Sequence, residues 1–189
     1  MNKEYYPWSG DFTSCSINGC IAVVLLNIKY TPSKKVAIYG QLKTENIGIE
    51  KIVANVISNP HIRYIAICGK DIRGHYPGKT LIALYKNGID KNCKIINAPG
   101  AIPYIENLDK EAIKRFCNQI KIVDLIGITD KYTVDNKIDK YILKSPKPFG
   151  EPYIALKIEN QSRININDKR ALHSKIIVNY MGKVEKRGK

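Results

Sequence analysis

Tyr64-Ile65-Ala66-Ile67-Cys68-Gly69-Lys70-Asp71-Ile72-Arg73-Gly74-His75-Tyr76-Pro77-Gly78-Lys79-Thr80 begins as an apolar run of strand length and ends in a helix start. The run shows no polar alternation, the pattern of a strand covered on both faces. Gly69 closes it and a glycine-bearing loop follows. Residues 80–86 then read as a helix with Leu81, Leu84 and Tyr85 inward, stopped by Asn87-Gly88. Upstream, Ile21-Ala22-Val23-Val24-Leu25-Leu26 and Val36-Ala37-Ile38-Tyr39 are two more strand-length runs. Apolar residues at 49, 52, 53, 56 and 57 fit an amphipathic helix over 48–57, which Asn59-Pro60 ends. Downstream, 94–96 reads as a short strand, Asp109 as the N-cap of a helix over 111–118, 120–126 as a strand and 135–143 as a helix. Residues 1–18 carry no period and read as a loop or arm.

Strands alternating with helices of this length predict βαβ units. The expected fold is α/β: a Rossmann-like, mostly parallel sheet flanked by helices over residues 1–143. After Ser145-Pro146-Lys147-Pro148 the texture changes. Residues 144–189 read as a basic C-terminal extension with strands near 153–158 and 175–180, as a small hairpin or an added edge, and a frayed end over 183–189.

The chain has 189 residues, 44% of them hydrophobic, and a net charge of +14. It is long enough to bury a core. No apolar run approaches the length of a membrane helix, and the start lacks a secretory pattern, so the expectation is a cytoplasmic protein. Residues 144–189 carry 11 basic and 4 acidic side chains, half of the excess charge in a quarter of the chain. Such a balance favours anionic partners without choosing among them. Five cysteines at irregular spacing, with no Cys-x-x-Cys pair, support neither a zinc site nor a disulfide framework. Cys68 and Cys117 read as buried free thiols.

In open α/β sheets ligands gather where loops leave the carboxyl ends of strands. The loops 40–47, 69–79 and 97–107 meet that condition and bring Gly40, Gly69, Gly74, Gly78, Gly100 and His75 to one rim. Thr44, Glu45 and Asn46 join them, though each also reads as a helix cap for 48–57. Gly78-Lys79-Thr80 mimics a phosphate loop, but Arg73 stands where its first glycine belongs, which argues against a conventional NTPase. No Gly-x-Gly-x-x-Gly follows a strand, which excludes a standard nicotinamide site. His75 is either a surface residue or a metal ligand whose small neighbours admit a planar group, with Asp71 as the nearby acid that orients it. His61 and His173 read as ordinary surface residues.

Several blocks carry a resemblance. Residues 42–55 (Leu42-Lys43-Thr44-Glu45-Asn46-Ile47-Gly48-Ile49-Glu50-Lys51-Ile52-Val53-Ala54-Asn55), Ser58-Asn59-Pro60, residues 68–88 and Gly100-Ala101-Ile102-Pro103-Tyr104-Ile105-Glu106-Asn107-Leu108 come in one order. Over about residues 20–128 they resemble the cobamide-binding A subunit of the methanogen methyltransferase that moves methyl from tetrahydromethanopterin to coenzyme M. The resemblance implies a corrinoid carrier whose cobalt accepts a methyl group from methyl-tetrahydromethanopterin or a similar donor and passes it to a thiol such as coenzyme M. It implies a cobamide of the 5-hydroxybenzimidazolyl type, with His75 as the lower axial ligand of cobalt. Thr44, Glu45, Asn46 and Gly48, then Gly69, Asp71, Gly74 and Gly78, then Ala98, Gly100, Ala101, Ile102, Pro103 and Asn107 are expected around the cofactor. The cobalamin signature Asp-x-His-x-x-Gly is met only in part, because Arg73 stands two before His75. The orienting acid is therefore Asp71 or lies elsewhere.

Members of the membrane complex end in a membrane helix, whereas this tail is basic and polar, so the expectation is a soluble homologue. Its expected partners are methyl-donor and methyl-acceptor methyltransferase proteins; whether the chain is an enzyme alone or one component of one is a matter for assay. Two other readings stay open: a cobamide storage or delivery protein without turnover, and a basic nucleic-acid-binding module using Lys183 to Lys189 and Tyr5-Tyr6-Pro7-Trp8.

Overall fold

The computed structural model describes residues 6–155 and, beyond them, the backbone of three short strands. Two compact units are formed, one ending at Leu156 and one beginning at Lys157. The first is an α/β unit. Its sheet holds β1 (Phe12–Ser14), β2 (Ile21–Leu25), β3 (Ile38–Gln41), β4 (Tyr64–Gly69) and β5 (Lys121–Ile126) in the order β1-β3-β2-β4-β5. β3, β2, β4 and β5 are parallel, in a register that sets Val24 beside Ile67 and Ile67 beside Asp124; β1 is antiparallel on β3.

Both faces of the central strands are covered, which is why β2 and β4 are written as unbroken apolar runs. Ala22, Val24, Ile65 and Ile67 point to one face. There they meet α1 (Ile47–Ser58), α2 (Pro77–Asn87) and α3 (Lys110–Gln119) through Val53, Ile57, Leu81, Leu84 and Phe116. Ile21, Val23, Leu25 and Cys68 point to the other, where Val134 and Ile138 of α4 (Lys131–Ile142) cover them. Each such aliphatic side chain contributes about 1.5–3 kcal/mol of burial. The Tyr30 hydroxyl donates to Asp135 and ties the loop after β2 to α4. Burial, reinforced by that carboxylate, pushes the Tyr30 phenol far above its ordinary pKa.

Several boundaries differ from the sequence reading. The arm contains a strand, β1, too short and too polar to show a period. Residues 94–96 do not join the sheet; Lys94 and Ile95 make isolated bridges to Tyr104 and Ile89. α4 begins four residues before 135, because the Asp130 carboxylate accepts from the Thr133 N–H at 2.8 Å and opens the helix there.

Residues 153–155 are not a strand. They end a strap that crosses the unit: Phe149 and Tyr153 donate from their backbone N–H groups to the carbonyls of Pro60 and Ile57. The Arg115 guanidinium donates to the Phe149 and Glu151 carbonyls, and Arg63 donates to that of Lys147. Their guanidinium carbons lie 4.8 and 5.2 Å from the centre of the Phe149 ring. Residues 156–158, expected to continue a strand, lie outside the described residues. The second unit contains β6 (Arg170–Leu172), β7 (Ile176–Asn179) and β8 (Val184–Lys186), an antiparallel sheet rather than one hairpin. β8 falls in the stretch expected to fray; residues 183 and 187–189 are outside the described set. Among the described residues no helix is long and apolar enough to cross a membrane.

Candidate functional site

Chain order runs outward in both directions from the pair β2 and β4, so their carboxyl ends flank the switch point at which such sheets bind ligands. β4 ends at Gly69, whose φ of +97° turns the chain away beside Ile28. The loop then climbs to Gly74 (φ +88°), His75 and Tyr76 (φ 42°) before α2 begins at Pro77. His75 projects from this tip with 59% of its side chain exposed, while Glu45 behind it is only 5% exposed. The Glu45 carboxylate oxygens lie 3.2 and 3.3 Å from His75 Nδ1. Oε1 also accepts the Ile102 backbone N–H at 3.1 Å. One carboxylate therefore joins three loops.

Burial alone would raise the Glu45 pKa, but its own amide, the Ile102 amide and the His75 imidazole outweigh it and hold the carboxyl below its ordinary value. An ionised carboxylate can only accept, so it selects the tautomer with hydrogen on Nδ1 and leaves the lone pair on Nε2. Among the described residues no hydrogen bond engages Nε2. An exposed imidazole with a carboxylate on its far nitrogen is the arrangement of an oriented metal ligand. No group of three or more His, Cys, Asp or Glu gathers among the described residues, so what the rim offers is one unengaged imidazole nitrogen.

The acid that meets His75 is Glu45, not Asp71. Asp71 instead accepts from the N–H groups of Gly78 and Lys79 at 3.0 and 2.9 Å, and from Ile72 at 3.2 Å. It fills the anion position at the start of α2, where Tyr76 gives no side-chain cap, and so explains why Gly-Lys-Thr here is not a phosphate cradle.

The other expected residues divide by where their atoms go. Thr44 Oγ1 accepts from Gly48 at 3.0 Å and Asn46 Oδ1 from Ile47 at 2.7 Å, so both cap α1. Gly48 and Gly78 are packing glycines: a Cβ would lie 2.9 Å from Leu42 Cδ1 at the first and 2.7 Å from Leu26 Cδ1 at the second. At Gly100 a Cβ would lie 2.8 Å from Glu45 Cγ, the His75 carbonyl and Thr80 Oγ1, so this glycine lets the loops close on one another. Ala98 is half-buried and Pro103 buried. Gly74, Ala101 and Ile102 remain open to solvent near His75, and nothing lies within 4 Å of a Cβ at Gly74.

Asn107 is turned to the protein: its side-chain amide donates to Glu50 Oε2 at 2.7 Å, and its backbone N–H donates to Oε1 at 2.8 Å. Sequence reading missed Glu50, a carboxylate 1% exposed inside an otherwise regular amphipathic helix. Its only signal was a charge on the apolar side of that pattern.

A family model that describes the A subunit of tetrahydromethanopterin S-methyltransferase matches residues 1–165. The A subunit of the tetrahydromethanopterin S-methyltransferase of Methanosphaera stadtmanae is 46% identical over 147 residues, which are 76% of this chain and 59% of the relative. The A subunit numbered 1 in Methanothermobacter thermautotrophicus is 47% identical over 65% of this chain and 52% of its own. The A subunit numbered 2 in Methanobrevibacter ruminantium is 40% identical over 81% of each. The chain thus spans little more than half of the longer relatives and most of the shorter one. It belongs to the family of tetrahydromethanopterin S-methyltransferase A subunits.

Proposed function

We propose that the chain is the cobamide-carrying component of a methyl-transfer system, in which His75 would be the residue that ligates cobalt. The observation that carries this reading is the buried, ionised Glu45 behind an exposed His75. The residues present fit the group. This rim would hold it through one oriented imidazole, that of His75. When bound, the cobamide supplies a cobalt that accepts a methyl group from methyl-tetrahydromethanopterin or a similar donor and yields it to a thiol such as coenzyme M.

The chain's own residues prepare the place. Glu45 holds the proton at Nδ1 and leaves the Nε2 lone pair to face outward. Asp71 fixes the root of the same loop on α2, so the imidazole is presented from two anchored points. Gly74 leaves the approach open, and exposed Ala101 and Ile102 give an apolar shoulder beside it. Donor and acceptor sites belong to separate methyltransferase proteins, and a carrier that visits both would work in the cytoplasm.

Hydroxocobalamin titration of the whole chain, followed by visible absorption, tests the proposal. Saturable binding whose histidine-ligated spectrum is lost in His75→Ala supports it. Binding with a spectrum unchanged by that substitution discards the ligand. No binding by the unaltered chain discards the carrier.

A further inference from the structure

The opposite rim of the sheet holds a groove that the carrier function does not use. It lies at the amino ends of β2 and β4, about 15–20 Å from the His75 rim by the rise of the strands. Its volume is about 500 Å³. Lys35, His61 and Lys147 face it together with Ser16, Asn18 and Ser145, while Ile142, Pro146 and Pro148 complete its walls. No carboxylate lines it, and among the described residues none of those three basic side chains makes an ion pair.

The walls are held in place without a ligand. Gly19 at the floor packs so closely that a Cβ would lie 2.4 Å from the Ala37 amide nitrogen. The backbone of Lys147 is pinned by the Arg63 guanidinium, which donates to its carbonyl at 2.7 Å. The backbone N–H of His61 donates to Asn59 Oδ1 at 3.0 Å. Ser145 keeps φ at +33°, a left-handed conformation that a serine adopts only under constraint from its surroundings. Two lysines, two serine hydroxyls and the Asn18 amide line one concavity, a donor set that suits a tetrahedral oxyanion.

We propose that this amino-rim groove binds a phosphate-bearing ligand, as a soluble phosphate compound or a lipid headgroup, while the opposite rim stays free for the methyl-transfer partners. Pyrophosphate is the probe, titrated into the isotopically labelled full chain at constant ionic strength. Saturating amide shifts are expected at 16–20, 35, 61, 142–145 and 147, with the dissociation constant raised about tenfold in the Lys35→Ala/Lys147→Ala double variant. The length-preserving Lys35→Gln/Lys147→Gln pair should act alike, and hydroxocobalamin binding should be unchanged in both.

Non-saturating shifts spread over the lysine-rich surface, or the same affinity in the double variants, would overturn the site. Vesicles of phosphatidylcholine and phosphatidylglycerol in equal parts, beside phosphatidylcholine alone, separate the sources. Co-sedimentation with the anionic vesicles that the double variants lose assigns a headgroup. Pyrophosphate binding without vesicle binding assigns a soluble ligand.

Discussion

Asn107 donates its side-chain amide to Glu50 at 2.7 Å, fastening the far end of the 97–107 loop to the interior of α1. The same carboxylate accepts the backbone N–H groups of Glu106 and Asn107. Glu50→Ala removes the buried acceptor that these three part-buried bonds share. We expect a loss of about 3 kcal/mol in urea unfolding, and a smaller loss for Glu50→Gln, which keeps one acceptor oxygen.

Gly100 and Gly74 should both lose stability on substitution by alanine, but unequally and for different reasons. At Gly100 the new methyl meets Glu45, His75 and Thr80 together, so Gly100→Ala is expected to destabilise by about 1–3 kcal/mol and to weaken histidine ligation of added hydroxocobalamin. At Gly74 there is room, and only the left-handed φ opposes a side chain, for about 1 kcal/mol. Thermal unfolding of the two variants side by side checks the order.

Cys68 should be silent in the native state. Burial pushes its thiol up to about 12 from an ordinary 9.0, and it is sealed between β2 and α4. A thiol reagent should modify it only as fast as the chain unfolds. Because the folded pKa is the higher one, stability is complete below pH 9 and falls as the unfolded thiol ionises. We expect this group to remove about 1 kcal/mol by pH 10. The urea midpoint of Cys68→Ala should fall less steeply over that range.

Asp71→Ala should loosen the loop rather than disarm it. Losing its three backbone acceptor contacts is expected to cost about 1–2 kcal/mol, as at other helix N-caps. Affinity for hydroxocobalamin should fall while the histidine-ligated spectrum persists. In Glu45→Gln the spectrum itself should change, because an amide no longer fixes the tautomer of His75. If Asp71→Ala abolishes the ligation spectrum and Glu45→Gln leaves it intact, the roles assigned to the two acids are reversed.

Much of the frame is legible in the sequence because doubly covered strands are spelled as unbroken apolar runs, as at residues 21–26 and 64–68. β1 escapes the same reading: Phe12-Thr13-Ser14 is three residues on an edge, where pairing rather than burial makes the strand. α4 is read late because its first apolar anchor is Val134, while its start is written in the Asp130 cap. At the site, His75 and the converging loops follow from rim position and family resemblance. The pairing of Glu45 with His75 does not, since thirty residues separate them and only the packed Gly100 turn brings their loops together. Nearness in the chain favoured Asp71, but the direction of a short side chain is set by the helix start it finds.

The grip of Arg63 and Arg115 on Phe149 bears on how this protein can be cut. A fragment ended at residue 143 would discard the strap, leaving Arg63 and Arg115 with only their bonds to Gln119 and the carbonyls of Ile57 and Pro60 without their strap donors. Limited proteolysis should spare the stretch up to 155, and a core excised for transplantation into another scaffold should keep it.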